Sequence, residues 1–108
     1  MYIYNVTMNI EKALEQEWFR WVQKKHIPEM LATGKFSEAK LCQVMVEEEQ
    51  GVTYSVQYTT DSKETLERYY QENAASFRKE AMQLFGDRLM AFRTELKVLH
   101  HIKNFEKS

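Results

Sequence analysis

Stretches of strict residue alternation enclose two stretches of helical periodicity, and that order leaves few folds open. Tyr2, Tyr4, Val6 and Met8 alternate with Ile3, Asn5 and Thr7, the period-two signal of a strand rich in β-formers. Ile10, Leu14, Trp18, Trp21, Val22 and Lys25 then recur at helical spacing, with Glu11, Lys12, Glu15, Gln16 and Arg20 on other faces. Asn9 can cap this helix, because its short side chain can accept from an orphan helical N–H. Pro28 has no N–H to donate and disfavours helical geometry at Ile27. Pro28 is expected to end this helix and can itself be the first residue of a short second piece, Glu29 to Thr33, stopped by Gly34; the result is a kinked or broken helix with His26 at the break.

Phe36 to Glu48 and Val52 to Thr59 read as the next two strands. The polar link Glu47-Glu48-Glu49-Gln50-Gly51 is short enough to require an antiparallel hairpin. Asp61 with Glu64 three residues later has the capping-box pattern and opens a helix with the stripe Leu66, Tyr69, Tyr70, Ala74, Phe77, Ala81 and Leu84. Gly86 closes it, and Leu89 to Leu99 alternate again as a fourth strand. One α+β domain over residues 1–99 is expected, with residues 100–108 a polar tail. The order βαββαβ with right-handed crossovers is ferredoxin-like: a four-stranded antiparallel sheet, two helices on one face, the first and third strands central.

Alternation also predicts two sheet faces. Tyr2, Tyr4, Val6, Val52, Tyr54, Val56, Tyr58, Phe92, Leu96 and Val98 are expected under the helices. Ile3, Asn5, Thr7, Thr53, Ser55, Gln57, Thr59, Ala91, Arg93 and Glu95 are expected on the reverse, a smaller and more polar surface. Two such reverse faces can close on each other as a barrel with helices outside. The long strand Phe36 to Glu48, with Leu41, Val44, Met45 and Val46, would leave an apolar edge uncovered in a monomer. A homodimer is therefore expected.

Composition removes several classes. At 108 residues there is room for one core, and 44% apolar with 29% charged residues is ordinary globular usage. A net charge of -1 supplies no basic excess for nucleic acid; Lys24-Lys25-His26 and Arg78-Lys79 read as solvated helix faces. No run nears the roughly 20 apolar residues of a membrane span. The single cysteine, Cys42, fits a reducing compartment, and the start reads as a strand without a leader pattern; cytoplasm is the expected location.

No sharp catalytic constellation emerges. Cys42 lies mid-strand with no histidine near it in sequence and reads as a sheet or core thiol. There is no Cys/His spacing for zinc, and His100-His101, as neighbours on an extended chain, point to opposite faces. No metal or cofactor is expected. His26 at the helix break is a candidate acid or base, or a ring that satisfies carbonyls freed by Pro28. Arg93 either pairs with Glu95 or with an acid of a second subunit, or meets a small anion such as a carboxylate. Tyr58 joins His26 and Arg93 as a candidate polar group of a pocket between sheet and helices. Asn5, Trp21, Gln57 and Arg93 are the candidate ligand-binding residues. The aromatic stripe Trp18, Trp21, Tyr69, Tyr70 and Phe77 reads as core, or as pocket lining where packing is incomplete.

As a set, several segments carry a resemblance: Met1-Tyr2-Ile3-Tyr4-Asn5-Val6-Thr7, Trp18 and Trp21, His26-Ile27-Pro28, Leu31-Ala32-Thr33-Gly34-Lys35-Phe36, Tyr54-Ser55-Val56-Gln57-Tyr58, Phe85-Gly86, and Phe92-Arg93-Thr94-Glu95. Together they resemble a short bacterial domain-of-unknown-function family, number 4286. The resemblance implies a ferredoxin-like fold of the dimeric α/β-barrel type and brings no assigned activity. The wider barrel group includes cofactor-free monooxygenases, haem-degrading enzymes and isomerases. Its haem-degrading members use a first-strand Asn, a third-strand Trp and a second-helix His. Here Asn5 resembles the first, but Tyr58 replaces the Trp and Asp61 to Phe85 contains no histidine. That mode of haem ligation does not fit.

Two readings follow. The first is a non-enzymatic homodimer that binds a small ligand or partner. The second is a cofactor-independent enzyme, monooxygenase-like or isomerase-like. A pocket in which His26 and Arg93 converge would favour the second, and the lack of a concavity of a few hundred Å³ near them would favour the first.

Overall fold

The computed structural model describes residues 1–47 and 50–104. Strand β1 (Tyr2–Ile10) is followed by a 3₁₀ turn at Lys12–Leu14, helix α1 (Glu15–Trp21), a π turn at Val22–His26 and helix α2 (Ile27–Ala32). Strands β2 (Glu38–Gln43) and β3 (Val52–Thr60), helices α3 (Lys63–Glu72) and α4 (Ala74–Phe85), and strand β4 (Leu89–Lys97) complete the chain. The four strands form one antiparallel sheet in the order β2-β3-β1-β4, with β1 and β3 central. This is the ferredoxin-like βαββαβ arrangement, an α+β fold. No helix among the described residues is long and apolar enough to cross a membrane.

The core lies between one sheet face and the helices. Tyr4, Val6, Met8, Ile10, Tyr54, Val56 and Tyr58 rise from the central strands and are buried against Trp18, Val22, Met30, Leu66, Tyr69, Ala74 and Phe85. Tyr4 is the aromatic hub: its ring lies 5.3 Å from Tyr69, 5.7 Å from Tyr70 and 6.1 Å from Phe36, within the range where ring pairs attract.

Several boundaries differ from the sequence reading, each for a local reason. Asn9 does not cap a helix. It is a strand residue whose amide donates to Thr53 Oγ1 at 3.2 Å and to the Gln50 carbonyl at 3.4 Å. The first helix ends at Trp21, ahead of Pro28, and Pro28 sits in the first turn of the second piece, α2, with the irregular turn closing at His26 as expected. The missing N–H of Pro28 leaves the Lys24 carbonyl without the usual i→i+4 donor, and the Ile27 N–H bonds instead to the Val22 carbonyl, five residues back. Ser62, not Asp61, caps α3, accepting from the Thr65 N–H. The long second helix is two, α3 and α4, joined at Asn73. Strand β2 stops at Gln43, short of Glu48, although the Val44 N–H still reaches the Thr53 carbonyl. Residues 48 and 49 of the expected turn, and residues 105–108 of the expected tail, lie outside the described residues. Gly34, Gly51 and Gly86 all hold positive φ, as stop and turn signals require.

The main correction concerns β4. Directly paired residues share a face, and β1 pairs Tyr4 with Glu95, Val6 with Arg93 and Met8 with Ala91. Ala91, Arg93 and Glu95 therefore stand on the helix side, not the reverse. Phe92 and Leu96 point to the open reverse face, where they remain 62% and 41% exposed. The period was right and the phase was opposite. At this edge the helix side of β4 is only partly covered, so charged tips reach its rim while their stems pack inward. Apolar alternation therefore ceases to mark the buried side.

Candidate functional site

The local fold at Pro28 builds one wall of a cleft. In a regular α-helix residues five apart sit about 140° apart around the axis. The π turn swings His26 round until its ring stacks on Trp21, with centroids 4.6 Å apart and planes 19° from parallel. Phe77 of α4 meets the His26 ring edge-on at 5.4 Å, and Phe85 meets Trp21 at 5.4 Å. Glu80 accepts from the Trp21 indole N–H at 3.4 Å and from Lys25 Nζ at 2.6 Å, which fixes the tryptophan from the solvent side.

β4 supplies the opposite wall. Arg93 Nε donates to the Tyr4 hydroxyl at 3.1 Å, so the guanidinium is anchored at the sheet end of the cleft. The expected Arg93–Glu95 pair does not form: Glu95 takes Lys63 and the Tyr70 hydroxyl. Between the walls lies a pocket of about 50 Å³ lined by Tyr4, Met8, Trp21, His26, Phe77 and Arg93 among others. It opens outward into a cleft of about 220 Å³ between α4 and β4, lined by Arg78, Ala81, Met82, Gly86, Leu89, Ala91 and Arg93. Five residues, Arg78, Ala81, Leu89, Ala91 and Arg93, line both.

Burial sets the protonation of the site. Desolvation dominates at His26 and pushes its pKa down to about 4; Glu80 and Glu29 oppose this, while Lys25 and Arg93 add to it. The ring is thus neutral at neutral pH, and its Nδ1 is buried with no hydrogen-bond partner. Hydrogen bonds from Lys25 hold the Glu80 carboxyl below the usual carboxylate range, and Lys63 does the same for Glu95. Glu80 and Glu95 are therefore each already paired with a lysine.

The structure brings His26, Trp21 and Arg93 together and separates them from the other expected site residues. Asn5 and Gln57 face each other on the reverse side of the sheet, where Asn5 Oδ1 accepts from the Ser55 hydroxyl at 2.6 Å. Arg93 does not join them there. Tyr58 is buried in the core beside Phe36 and Tyr4, its hydroxyl unpartnered and its pKa pushed up by burial, and it does not line the cleft. Cys42 sits half-buried on the reverse face opposite Ser55. Sequence reasoning missed Arg78, which it placed on a solvated helix face. Its position next to Phe77, one residue off the apolar stripe, was the available signal. Among the described residues no group of three or more His, Cys, Asp or Glu side chains is placed to hold a metal ion.

Solved structures with this arrangement share the fold at low sequence identity. A dimeric ferredoxin-like protein from an uncultured marine organism is 10% identical, with a TM-score of 0.71 over 94% of this chain and 97% of that one. An antibiotic biosynthesis monooxygenase-like protein from Deinococcus radiodurans is 11% identical, with a TM-score of 0.68 over 96% and 98%. Hydroxynitrile lyase from Passiflora edulis is 15% identical, with a TM-score of 0.61 over 93% and 97%. One fold thus carries unlike chemistries. No curated protein matches the sequence. The βαββαβ sheet and the match of residues 1–99 to one family agree: the chain belongs to the family described as domain of unknown function (DUF4286).

Proposed function

We propose that the protein is a cytoplasmic, bacterial, non-enzymatic homodimer that binds a small ligand in the cleft between α4 and β4, within a domain of residues 1–99. The observation that carries this reading is the open cleft of about 220 Å³ between α4 and β4, whose lining includes Arg78 and Arg93 but not His26. The inner pocket of about 50 Å³ accommodates little more than a few waters, so the outer cleft is the ligand's seat. Binding without turnover is supported by how His26 is held: Trp21 and Phe77 pack its ring, its Nδ1 makes no hydrogen bond, and the nearby Glu80 is engaged by Lys25 and the Trp21 indole instead of orienting the imidazole. The dimer is supported by Phe92 and Leu96 on the open sheet face, each worth roughly 1–2 kcal/mol when covered by a second copy. The reducing compartment is supported by one free cysteine.

The test is native mass spectrometry and light scattering on gently purified protein. A dimer that releases an unmodified small molecule on denaturation is expected; a monomer at micromolar concentration, or empty protein from every preparation, counts against the reading.

A second reading, a cofactor-independent monooxygenase-like or isomerase-like enzyme, is favoured by one observation: a neutral His26 shares its pocket with Arg93. A ring with lowered pKa can accept a proton at neutral pH. Conversion of the co-purified molecule by wild-type protein, lost in His26→Gln, would establish this reading over the first.

A further inference from the structure

The cleft between α4 and β4 carries two guanidinium groups, Arg78 and Arg93, that form no ion pair among the described residues. From this we infer that its ligand is a small aryl or short-chain carboxylate, the carboxylate between Arg78 and Arg93 and the apolar body against Ala81, Leu89 and Ala91. This rests on the ligand-binding reading above and names the class of ligand.

Charge is the first argument. Glu80 and Glu95, on the same two elements as the arginines, are bonded to Lys25 and Lys63. Among the described residues neither Arg78 nor Arg93 has an ion-pair partner. Two uncompensated cations flanking one concavity favour an anion. Arg93 is already held through Nε by Tyr4, which leaves its two terminal nitrogens as a pre-aimed planar fork. That geometry matches a carboxylate.

Shape is the second argument. The small side chains of Ala81 and Ala91 leave the cleft about 220 Å³. A cavity of about 150 Å³ suffices for benzene, so one ring or a short chain fits. The inner pocket, about 50 Å³, is too small for a ring and takes a single substituent beside Trp21 and His26. The lining between the arginines is apolar, and a bare inorganic anion would leave it wet. An amphipathic acid uses both halves of the site.

The experiment follows the Trp21 indole N–H resonance, identified by its loss in Trp21→Phe, during titration with phenylacetate, phenylacetamide and inorganic phosphate. A fragment of this size is expected to bind with a dissociation constant on the order of 1 mM, so titrations run to ~10 mM. Phenylacetate should shift the resonance and bind at least about tenfold more tightly than the amide. Arg78→Met and Arg93→Met should each weaken the acid about tenfold and leave the amide unchanged; Arg78→Met should melt near wild type, and Arg93→Met, which also loses the bond to Tyr4, somewhat lower. Equal binding of acid and amide overturns the carboxylate inference and leaves the binding reading standing. Phosphate binding as tightly as phenylacetate also overturns it. No shift with either ring compound overturns both.

Discussion

Acidification should destabilise this protein well before its carboxylates titrate, because His26 is buried as a neutral ring. Its folded pKa is lowered to about 4, against 6.5 for the free side chain, and desolvation is the main cause. The sign follows from proton counting. Below pH 6.5 the unfolded chain binds a proton at this position that the folded chain refuses until about pH 4. Stability is therefore unaffected above pH 7 and falls as pH drops through the window from 6.5 to 4. Integrated over that window, the loss is about 2 kcal/mol at pH 5 and about 3 kcal/mol at pH 4. Glu72, Glu80 and Glu95 are held below the usual carboxylate range by Lys35, Lys25 and Lys63, so their losses come at lower pH. Urea unfolding between pH 7 and pH 5, in a background carrying His100→Gln and His101→Gln, isolates the buried ring. His26→Phe keeps a ring against Trp21 and Phe77 and removes both the titration and the unpartnered Nδ1. It should match or exceed wild-type stability at pH 7 and show no loss by pH 5. A flat wild-type profile across this range, or an equal slope in His26→Phe, would refute the burial argument.

Three further outcomes follow from the packing. Phe92→Lys places a charge on the open sheet face and should raise the dimer dissociation constant at least ~100-fold, read by sedimentation; an unchanged dimer would put the interface elsewhere. Gly51→Ala should cost roughly 1–3 kcal/mol, because φ is +76° and the new Cβ would meet Asn9 Oδ1 at 2.5 Å and the Ile10 carbonyl at 2.8 Å; an unaltered melting temperature rejects that geometry. Lys35 is only 8% exposed and ties the segment before β2 to the α3–α4 junction through Asn73 Oδ1 at 2.7 Å. Lys35→Met should lower stability by about 1–2 kcal/mol by denaturant melt, and no change would show the bond to be idle.

Periodicity alone determined the kind and order of elements here. A side chain's chance of burial repeats every two residues on a strand and every 3.6 on a helix, so Tyr2 to Met8, Val52 to Thr59 and the α3–α4 stripe declare themselves locally. The turn glycines Gly34, Gly51 and Gly86 do likewise, since positive φ is a property of the residue. What periodicity cannot supply is phase at a half-covered edge. Phe92 and Leu96 are large apolar residues of β4 and still face outward, because the register with Tyr4 and Val6 assigns Arg93 and Glu95 to the helix side. The same tertiary pairing moved Arg93 away from Asn5 and Gln57 and set it across a cleft from His26. The Trp21–His26 stack required the wide turn that Pro28 forces, and Arg78 came to line a cleft only when α4 was laid beside β4. Local patterns record which side chains avoid water, whereas which polar groups meet depends on strands and helices far apart in the chain.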